Sequence, residues 1–391
     1  MERWWAGRAS RPRHSWGSSM RRPGRRPEPI MPVESVPVRR ILIFGAGAVG
    51  GYLGAMLSAF GHQVILLGRP HVAEAIQRHG LTLLRPDGLQ LTTRPHAISD
   101  LDAVHSEVDA IFLTVKAYDT EAAIAAIQRK GWRSPLLFCW QNGVDGEARL
   151  ATAFGAERVV AGTLTQPVSV VAPGVVRLER TRGGLGLAPM APVQDLREWQ
   201  ALLQMAGFST RLYLDPQAMK WSKLLLNLIA NATCAILDWP TERVLRDPRT
   251  FAVERAAFRE ALTVMRALGL RPVPLPGYPV PLLAWAIRWG PDPLLRPILA
   301  AMGARGRGEK LPSLHQDLQR GARLELEAYC GAVVRHGARA GVPTPVHAAL
   351  ARILEDLAEG REDRATWRDN VAALLERTRL HASGRLTARA S

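Results

Sequence analysis

"RRILIFGAGAVGGYLGAMLSAFGHQVILLGRP", residues 39 to 70, is the stretch on which the fold turns. It opens with a short apolar run, Ile41 to Phe44, of the kind expected for a strand buried on both faces. The chain then turns through glycines, and the pattern predicts a helix from about Val49 to Phe60 and a second strand from Val64 to Leu67. Gly45, Gly47 and Gly50 stand in G-x-G-x-x-G spacing, directly after a strand and at the opening of a helix. Gly45 would permit the tight turn, Gly47 would let the backbone approach a pyrophosphate, and Gly50 would let helix and strand pack closely. A helix N-terminus favours the anion, so Gly45, Ala46, Gly47, Ala48, Val49 and Gly50 form a candidate cofactor loop. A glycine turn needed only for packing is the alternative.

The end of the second strand bears on which dinucleotide is bound. An NAD site places an acid there for the ribose diol, whereas this chain reads Leu67-Gly68-Arg69-Pro70 and has no acid before Glu74. An arginine suits a 2′-phosphate, so NADP(H) is the expected cofactor and Arg69 its candidate ligand. In a chain with 46 arginines, an ordinary surface arginine is the competing reading.

Outward from this unit, "VDAIFLTVKA" (108 to 117), "SPLLFCWQNG" (134 to 143) and "RVVAGTLTQ" (158 to 166) read as further buried strands. Helical stretches such as "DTEAAIAAIQRKG" lie between them, and the alternation implies a parallel sheet with helices on its faces. "GVVRLER" and "FSTRLYL" are expected to carry that sheet to about residue 214. After Asp215-Pro216, an N-cap followed by proline, only helical periods remain. The first helix is expected to run to about Leu237, with others near 250 to 268, 313 to 340 and 344 to 376. Residues 271 to 310 read as irregular. The expected class is therefore α/β, with a Rossmann-type dinucleotide-binding domain at 40–214 and an all-α substrate domain at 215–378. A disordered basic extension at 1–39 and a flexible tail at 379–391 flank them.

The net charge of +16 suggests a nucleic acid or a membrane surface, but its distribution argues against both. Residues 1 to 40 hold ten arginines against three glutamates, and the last sixteen residues hold four against one. The basic N-terminal stretch lacks the apolar core of a signal peptide; a transit peptide or an upstream start before Met20 or Met31 remains open. The most apolar segment, 279 to 302, is interrupted by Arg288, Asp292 and Arg296, so no membrane span is expected. Three scattered cysteines imply a reducing compartment, here the cytoplasm, and no zinc-type spacing implies a metal. The oligomeric state is open, a homodimer included.

Five lysines occur, at 116, 130, 220, 223 and 310. Against so much arginine, a lysine marks a place where a guanidinium would not serve, since a buried lysine can give up its proton and an arginine effectively cannot. Lys223, Asn227 and Asn231 recur at four-residue intervals within "KWSKLLLNLIAN" and would project from one side of a helix. Lys223 would then be a proton donor, or else a snorkelling helix lysine; the asparagines would hold substrate or join helices. Lys116 ends a buried strand at the ligand-binding edge of the sheet. Asn142 follows another, where an Asn-Gly turn is an even alternative. Ser313 opens a helix in a pattern that fits a capping box with Gln316, with ligand contact the alternative, and Glu325 alone would read as a solvated helix charge.

"GAGAVGG", "TVKAYDT", "QNGV", "KWSKLLLNLIAN", "SLHQDLQRGARLELEAYCG" and "GVPTP" follow one another in an order that resembles the ketopantoate reductase (2-dehydropantoate 2-reductase) family over roughly residues 40 to 375. The resemblance implies NADPH bound in a Rossmann domain and a 2-keto acid held in a cleft against the helical domain. By motif position it makes Lys223 the proton donor. Asn227, Asn231 and Ser313 would hold the keto acid, and Asn142 would touch substrate and cofactor. Glu325 would contact the substrate hydroxyl or the cofactor ribose, and Arg69 and Lys116 would help to hold NADPH. Three readings compete with it. One is a reductase of this family acting on a different keto acid; another is a 3-hydroxy-acid dehydrogenase, which also uses a Lys-x-x-x-Asn pair; the third is a non-enzymatic NADPH sensor or nucleic-acid binder.

Overall fold

The computed structural model describes residues 37–307 and 311–380, with the side chains of 303–307 excepted. Most of the proposed extension (1–39) and tail (379–391) lies outside the described residues. Their inner ends belong to the fold: Arg39 pairs with Glu198, and Leu380 is buried.

The first half holds strands β1 (Arg40–Phe44), β2 (Gln63–Leu67), β3 (Leu81–Leu84), β4 (Gln90–Thr93), β5 (His96–Ile98), β6 (Ala110–Leu113), β7 (Leu136–Cys139), β8 (Val159–Leu164), β9 (Val168–Ala172), β10 (Val175–Leu178), β11 (Leu185–Pro189) and β12 (Thr210–Leu212). Helices α1 (Ala48–Ala59), α2 (Pro70–His79), α3 (Thr120–Lys130), α4 (Gly146–Phe154) and α5 (Arg197–Met205) alternate with them. Eight strands form one sheet in the order β12-β11-β8-β7-β6-β1-β2-β5. From β5 to β8 it is parallel throughout. The neighbours of β1 are β2 and β6, so the strand order reverses there, and such a reversal opens a ligand crevice at the carboxyl ends. Ile41, Leu42 and Ile43 are fully buried, as strands covered by helices on both faces require.

Two expectations about the sheet need correction. "GVVRLER" does not extend it: β10 lies in a separate four-stranded sheet of order β4-β3-β10-β9 that covers α1. At the far edge, β11 runs antiparallel to β8, so the large sheet is mixed.

The second half is helical: α6 (Pro216–Leu228), α7 (Asn231–Leu237), α8 (Thr241–Arg246), α9 (Pro248–Ala267), α10 (Val280–Trp289), α11 (Asp292–Arg307), α12 (Ser313–Gln319), α13 (Cys330–Arg339), α14 (Pro345–Ala358), α15 (Arg364–Trp367) and α16 (Val371–Thr378). Asp215 caps α6 as expected, its carboxylate accepting from the Ala218 N–H at 2.9 Å. The expected helix to Leu237 is broken, because Ala230 takes a left-handed conformation (φ 57°) between α6 and α7. The expected helix at 313–340 is likewise two helices with an irregular link, and the one at 344–376 is three. Residues 280–307, read as irregular, are two helices. Among the described residues, no helix is long and apolar enough to cross a membrane, and no cluster of metal-ligating side chains occurs.

Candidate active site

The glycine loop is built as its spacing requires. Gly45 has φ 123°, and a Cβ there would sit 2.9 Å from the Val115 nitrogen. Thr114, at the end of β6, donates its hydroxyl to the Gly45 carbonyl at 2.7 Å and so holds the turn against the neighbouring strand. A Cβ on Gly50 would collide with the Gly45 carbonyl oxygen at 1.9 Å, so α1 can approach β1 this closely only with glycine at that position. Around Gly47 the space is open: a Cβ there would meet nothing within 4 Å. Gly47 is also the N-cap of the twelve-residue α1 and brings no side chain to satisfy its first N–H groups. This opening beside unsatisfied donors fits a dinucleotide pyrophosphate. Arg69 is exposed and stands two residues beyond β2, whose last carbonyl (Leu67) accepts the Gly45 N–H at 3.0 Å.

At the ends of β6 and β7 the two halves of the chain meet. Asn142 follows β7, and its side-chain oxygen accepts from Asn227 Nδ2 at 3.1 Å. Next to it, the buried Gln141 donates from Nε2 to the Val115 carbonyl at 3.0 Å and so ties the two strand ends together. Lys116 Nζ lies 2.8 Å from Glu325 and 3.1 Å from Asp317. Glu325 also accepts the Ala117 N–H at 3.0 Å. It is 4% exposed and sits outside the regular helices, so it is not a solvated helix charge. Burial would drive the Lys116 amine to shed its proton, but the Glu325 and Asp317 carboxylates outweigh it and raise its pKa.

A second junction lies within the helical half. Asn231, the first residue of α7, donates from Nδ2 to the Ser313 hydroxyl at 3.3 Å and accepts the Leu314 N–H at 3.1 Å. Ser313 does not form the expected capping box. Pro312 is the N-cap of α12, and the Ser313 hydroxyl instead donates to the Tyr329 hydroxyl at 3.4 Å. Asn227 and Asn231 therefore do not lie on one uninterrupted helix face; the break at Ala230 turns one toward the sheet and the other toward α12.

Lys223 is half-buried on α6, one turn before Asn227. The residues on either side of it along this part of the helix both reach the loop after β7: Lys220 contacts the Gln141 carbonyl at 2.6 Å and Asn227 contacts Asn142. Helical spacing thus puts Lys223 over the same strand end. A cavity of about 540 Å3 is lined by Asn142, Glu325, Tyr118, Asp145 and Arg335 among others, a volume suited to a small ligand, but Lys223, Asn227, Asn231 and Ser313 are not among its lining residues.

Several residues here were not singled out by the sequence reading. Lys220 is 2% exposed and forms a buried ion pair with Glu147 at 2.7 Å. The contact is ionic and not an aligned hydrogen bond, since neither Glu147 oxygen accepts one. A signal existed: Lys220, Leu224 and Leu228 make a four-residue repeat buried along its length. Asp145 joins the Asn142 loop to α13 through His336 Nε2 at 2.7 Å and Arg335 at 2.7 Å. Burial raises the Asp145 pKa, but these two partners overcome it and hold the carboxyl down at about 2. No spacing in the sequence links residues so far apart.

Comparison with known proteins agrees with this geometry. A family model described as ketopantoate reductase PanE/ApbA matches residues 41–191, and its C-terminal counterpart matches residues 215–358. The chain belongs to the ketopantoate reductase family. It is 29% identical over 322 residues to a 2-dehydropantoate 2-reductase of Halobacterium salinarum, covering 81% of this chain and 97% of that one. It is similar to a PanE/ApbA family ketopantoate reductase from Ralstonia eutropha JMP134 (28% identity, TM-score 0.71), covering 83% of this chain and 100% of the other. A 2-dehydropantoate 2-reductase structure from Geobacter metallireducens matches at 28% identity and TM-score 0.70, covering 81% and 99%. As a ketopantoate reductase family member, the chain is an oxidoreductase acting on CH–OH groups and carries a dinucleotide-binding fold.

Proposed function

We propose that this chain reduces a 2-keto acid to the 2-hydroxy acid, with 2-dehydropantoate the first candidate substrate, NADPH the cofactor and Lys223 the proton donor. One observation carries the reading: Asn227, one turn after Lys223, is bonded to Asn142 at the carboxyl end of β7. That contact brings the amine-bearing turn of α6 to the sheet edge where dinucleotides bind in such folds.

In this reading the loop from Gly45 to Gly50 holds the pyrophosphate and Arg69 the 2′-phosphate. Asn142, Glu325 and Lys116 would hold the nicotinamide half. NADPH supplies the hydride that reduces C2 of the keto acid. Lys223, protonated, donates a hydrogen bond to the C2 oxygen, stabilises its negative charge as the carbonyl is reduced, and then transfers its proton. Asn227, Asn231 and Ser313 orient the acid; they carry no charge and do not compete for that proton. The Lys116–Glu325 pair spans the two halves and positions the Glu325 carboxylate. The cytoplasm is the expected site of action.

The test is a panel of 2-keto and 3-keto acids, ketopantoate included, assayed by NADPH absorbance. Turnover with 2-keto acids supports the reading. Preference for 3-keto acids would move the chain to the 3-hydroxy-acid dehydrogenase reading, and cofactor binding without turnover of any acid would make it a sensor.

A further inference from the structure

Tyr329 is a buried titratable group that the proposed reaction leaves unused, yet its side chain is bonded to a residue that the reaction does use. The Tyr329 hydroxyl accepts a hydrogen bond from the Ser313 hydroxyl at 3.4 Å. Tyr329 is 2% exposed and Asn231 4%, whereas Ser313, bonded to both, is partly exposed. Ser313 is thus the member of this trio that can meet a ligand, and the other two stand behind it.

The trio decides what Ser313 can offer. A serine hydroxyl has one proton and two lone pairs. The Asn231 amide is oriented by the Leu314 N–H, which its Oδ1 accepts at 3.1 Å, so its Nδ2 turns a proton to Ser313 and fills one lone pair. The Ser313 proton goes inward to Tyr329. What is left for a ligand is the second lone pair.

Tyr329 is placed to keep this polarity. Its backbone is fixed at the entry to α13, the N–H donating to the Leu326 carbonyl and the carbonyl accepting from the Ala332 N–H, each at 3.1 Å. Burial raises the phenol pKa, and the Glu325 and Asp317 carboxylates add to that effect against Ser313 and Lys116, so the phenol stays neutral. The same carboxylates favour a phenol proton turned toward them, which leaves the phenol lone pairs to Ser313.

We propose that Tyr329 is a positioning residue that sets substrate specificity: by taking the Ser313 proton inward, it makes Ser313 an acceptor and so selects a 2-keto acid that carries a hydroxyl group beyond the carbonyl. This rests on the keto-acid reading above and adds to it the residue that separates hydroxylated from plain alkyl substrates. A carboxylate has no proton to give to such an oxygen, and an alkyl group there leaves the lone pair without a partner.

Two acids of nearly the same shape test this: ketopantoate, and the acid in which a methyl group replaces its hydroxymethyl group. In the wild type, kcat/KM should favour ketopantoate by about tenfold, the usual worth of one hydrogen bond. In Tyr329→Phe the Ser313 proton is free to turn outward. The preference should then all but disappear, with the KM for NADPH and the urea midpoint unchanged. Ser313→Ala should lose the preference as well. Combining the two substitutions should cost ketopantoate turnover nothing beyond Ser313→Ala alone, because Tyr329 acts only through Ser313. A preference that survives in Tyr329→Phe overturns the proposal, as does a further loss in the double variant or a wild type that uses both acids equally well. In each of those cases 2-keto-acid reduction itself stands. A wild type that turns over neither acid sinks that reading and the proposal with it.

Discussion

Lys220 and Lys223 stand one turn apart on α6, yet their surroundings have little in common. Lys220 is 2% exposed, with its amine held by the Gln141 and Gly162 carbonyls and by Glu147. Lys223 is half-buried, and its helical neighbour one turn on is Asn227 instead of Leu224. The two positions sit in four-residue repeats of opposite character, Lys220-Leu224-Leu228 and Lys223-Asn227. Lys220 serves the fold through its buried contacts with Glu147 and two backbone carbonyls, whereas the proposed reading gives Lys223 the chemistry. Lysine scarcity in the sequence marks both residues and cannot say which is which.

Substituting each lysine sharpens this contrast. Lys223→Ala should reduce turnover by about 10²–10⁴-fold, the usual worth of a positioned acid, with the urea midpoint and NADPH affinity little changed. Lys223→Arg should not rescue it, because a guanidinium keeps its proton. Turnover within a few-fold of wild type in Lys223→Ala would remove the proton-donor assignment. Lys220→Met should do the reverse. It strands the Glu147 carboxylate in the core and should cost about 3–5 kcal/mol of stability. Adding Glu147→Leu should restore most of that loss, since removing both charges leaves no orphan. Urea melts of the three variants decide this, and equal destabilisation of the single and double variants would show that the ion pair is not the cause.

The same contrast explains what was legible in the sequence. The glycine loop and the strands around it could be read because each depends on neighbours in the chain: apolar runs for doubly covered strands, glycine where Gly45 has φ 123°. The break between α6 and α7 could not. It falls on Ala230, a strong helix former, within "LLLNLIANATCAIL", where no glycine or proline announces it. What supports the break is Glu254, 24 residues later on α9, whose carboxylate accepts the Ala230 N–H at 2.6 Å. Asn231 was therefore found as a candidate from a helical repeat that does not exist as a continuous face. For Ser313 the sequence offered a capping pattern as the competing reading, which the structure does not use; only the family resemblance made it a site candidate. The Lys116–Glu325 pair links positions 209 residues apart, and only the family resemblance had placed both in one site.

Asp145 tests whether the loop bearing Asn142 is held from the helical side. Its pKa lies at about 2 in the fold against an ordinary 3.8, because His336 and Arg335 favour the carboxylate more than burial opposes it. A folded pKa below the unfolded one stabilises the protein at pH values above the unfolded pKa. That contribution is lost as pH falls from about 4 to about 2. The shift corresponds to about 2 kcal/mol at neutral pH. Asp145→Asn should lower the unfolding free energy by about that amount at pH 7, with the gap to wild type closing toward pH 2. A gap constant with pH would mean that the aspartate contributes only by packing.

Arg69 should give the smallest effect and the one confined to the cofactor. It is exposed at the end of β2, so its removal leaves no buried partner unsatisfied, and stability should not change. A charge-assisted contact with a 2′-phosphate is worth about 1.5 kcal/mol or somewhat more. Arg69→Ala should therefore raise KM for NADPH by about tenfold and leave KM for NADH where it was. Measuring both cofactors on one preparation separates this from a general weakening of the glycine loop, which would raise both constants together. An unchanged NADPH-to-NADH ratio would make Arg69 one more surface arginine. Any preference for NADPH would then have to come from elsewhere along the β2 edge, where no carboxylate precedes Glu74 to hold a ribose diol.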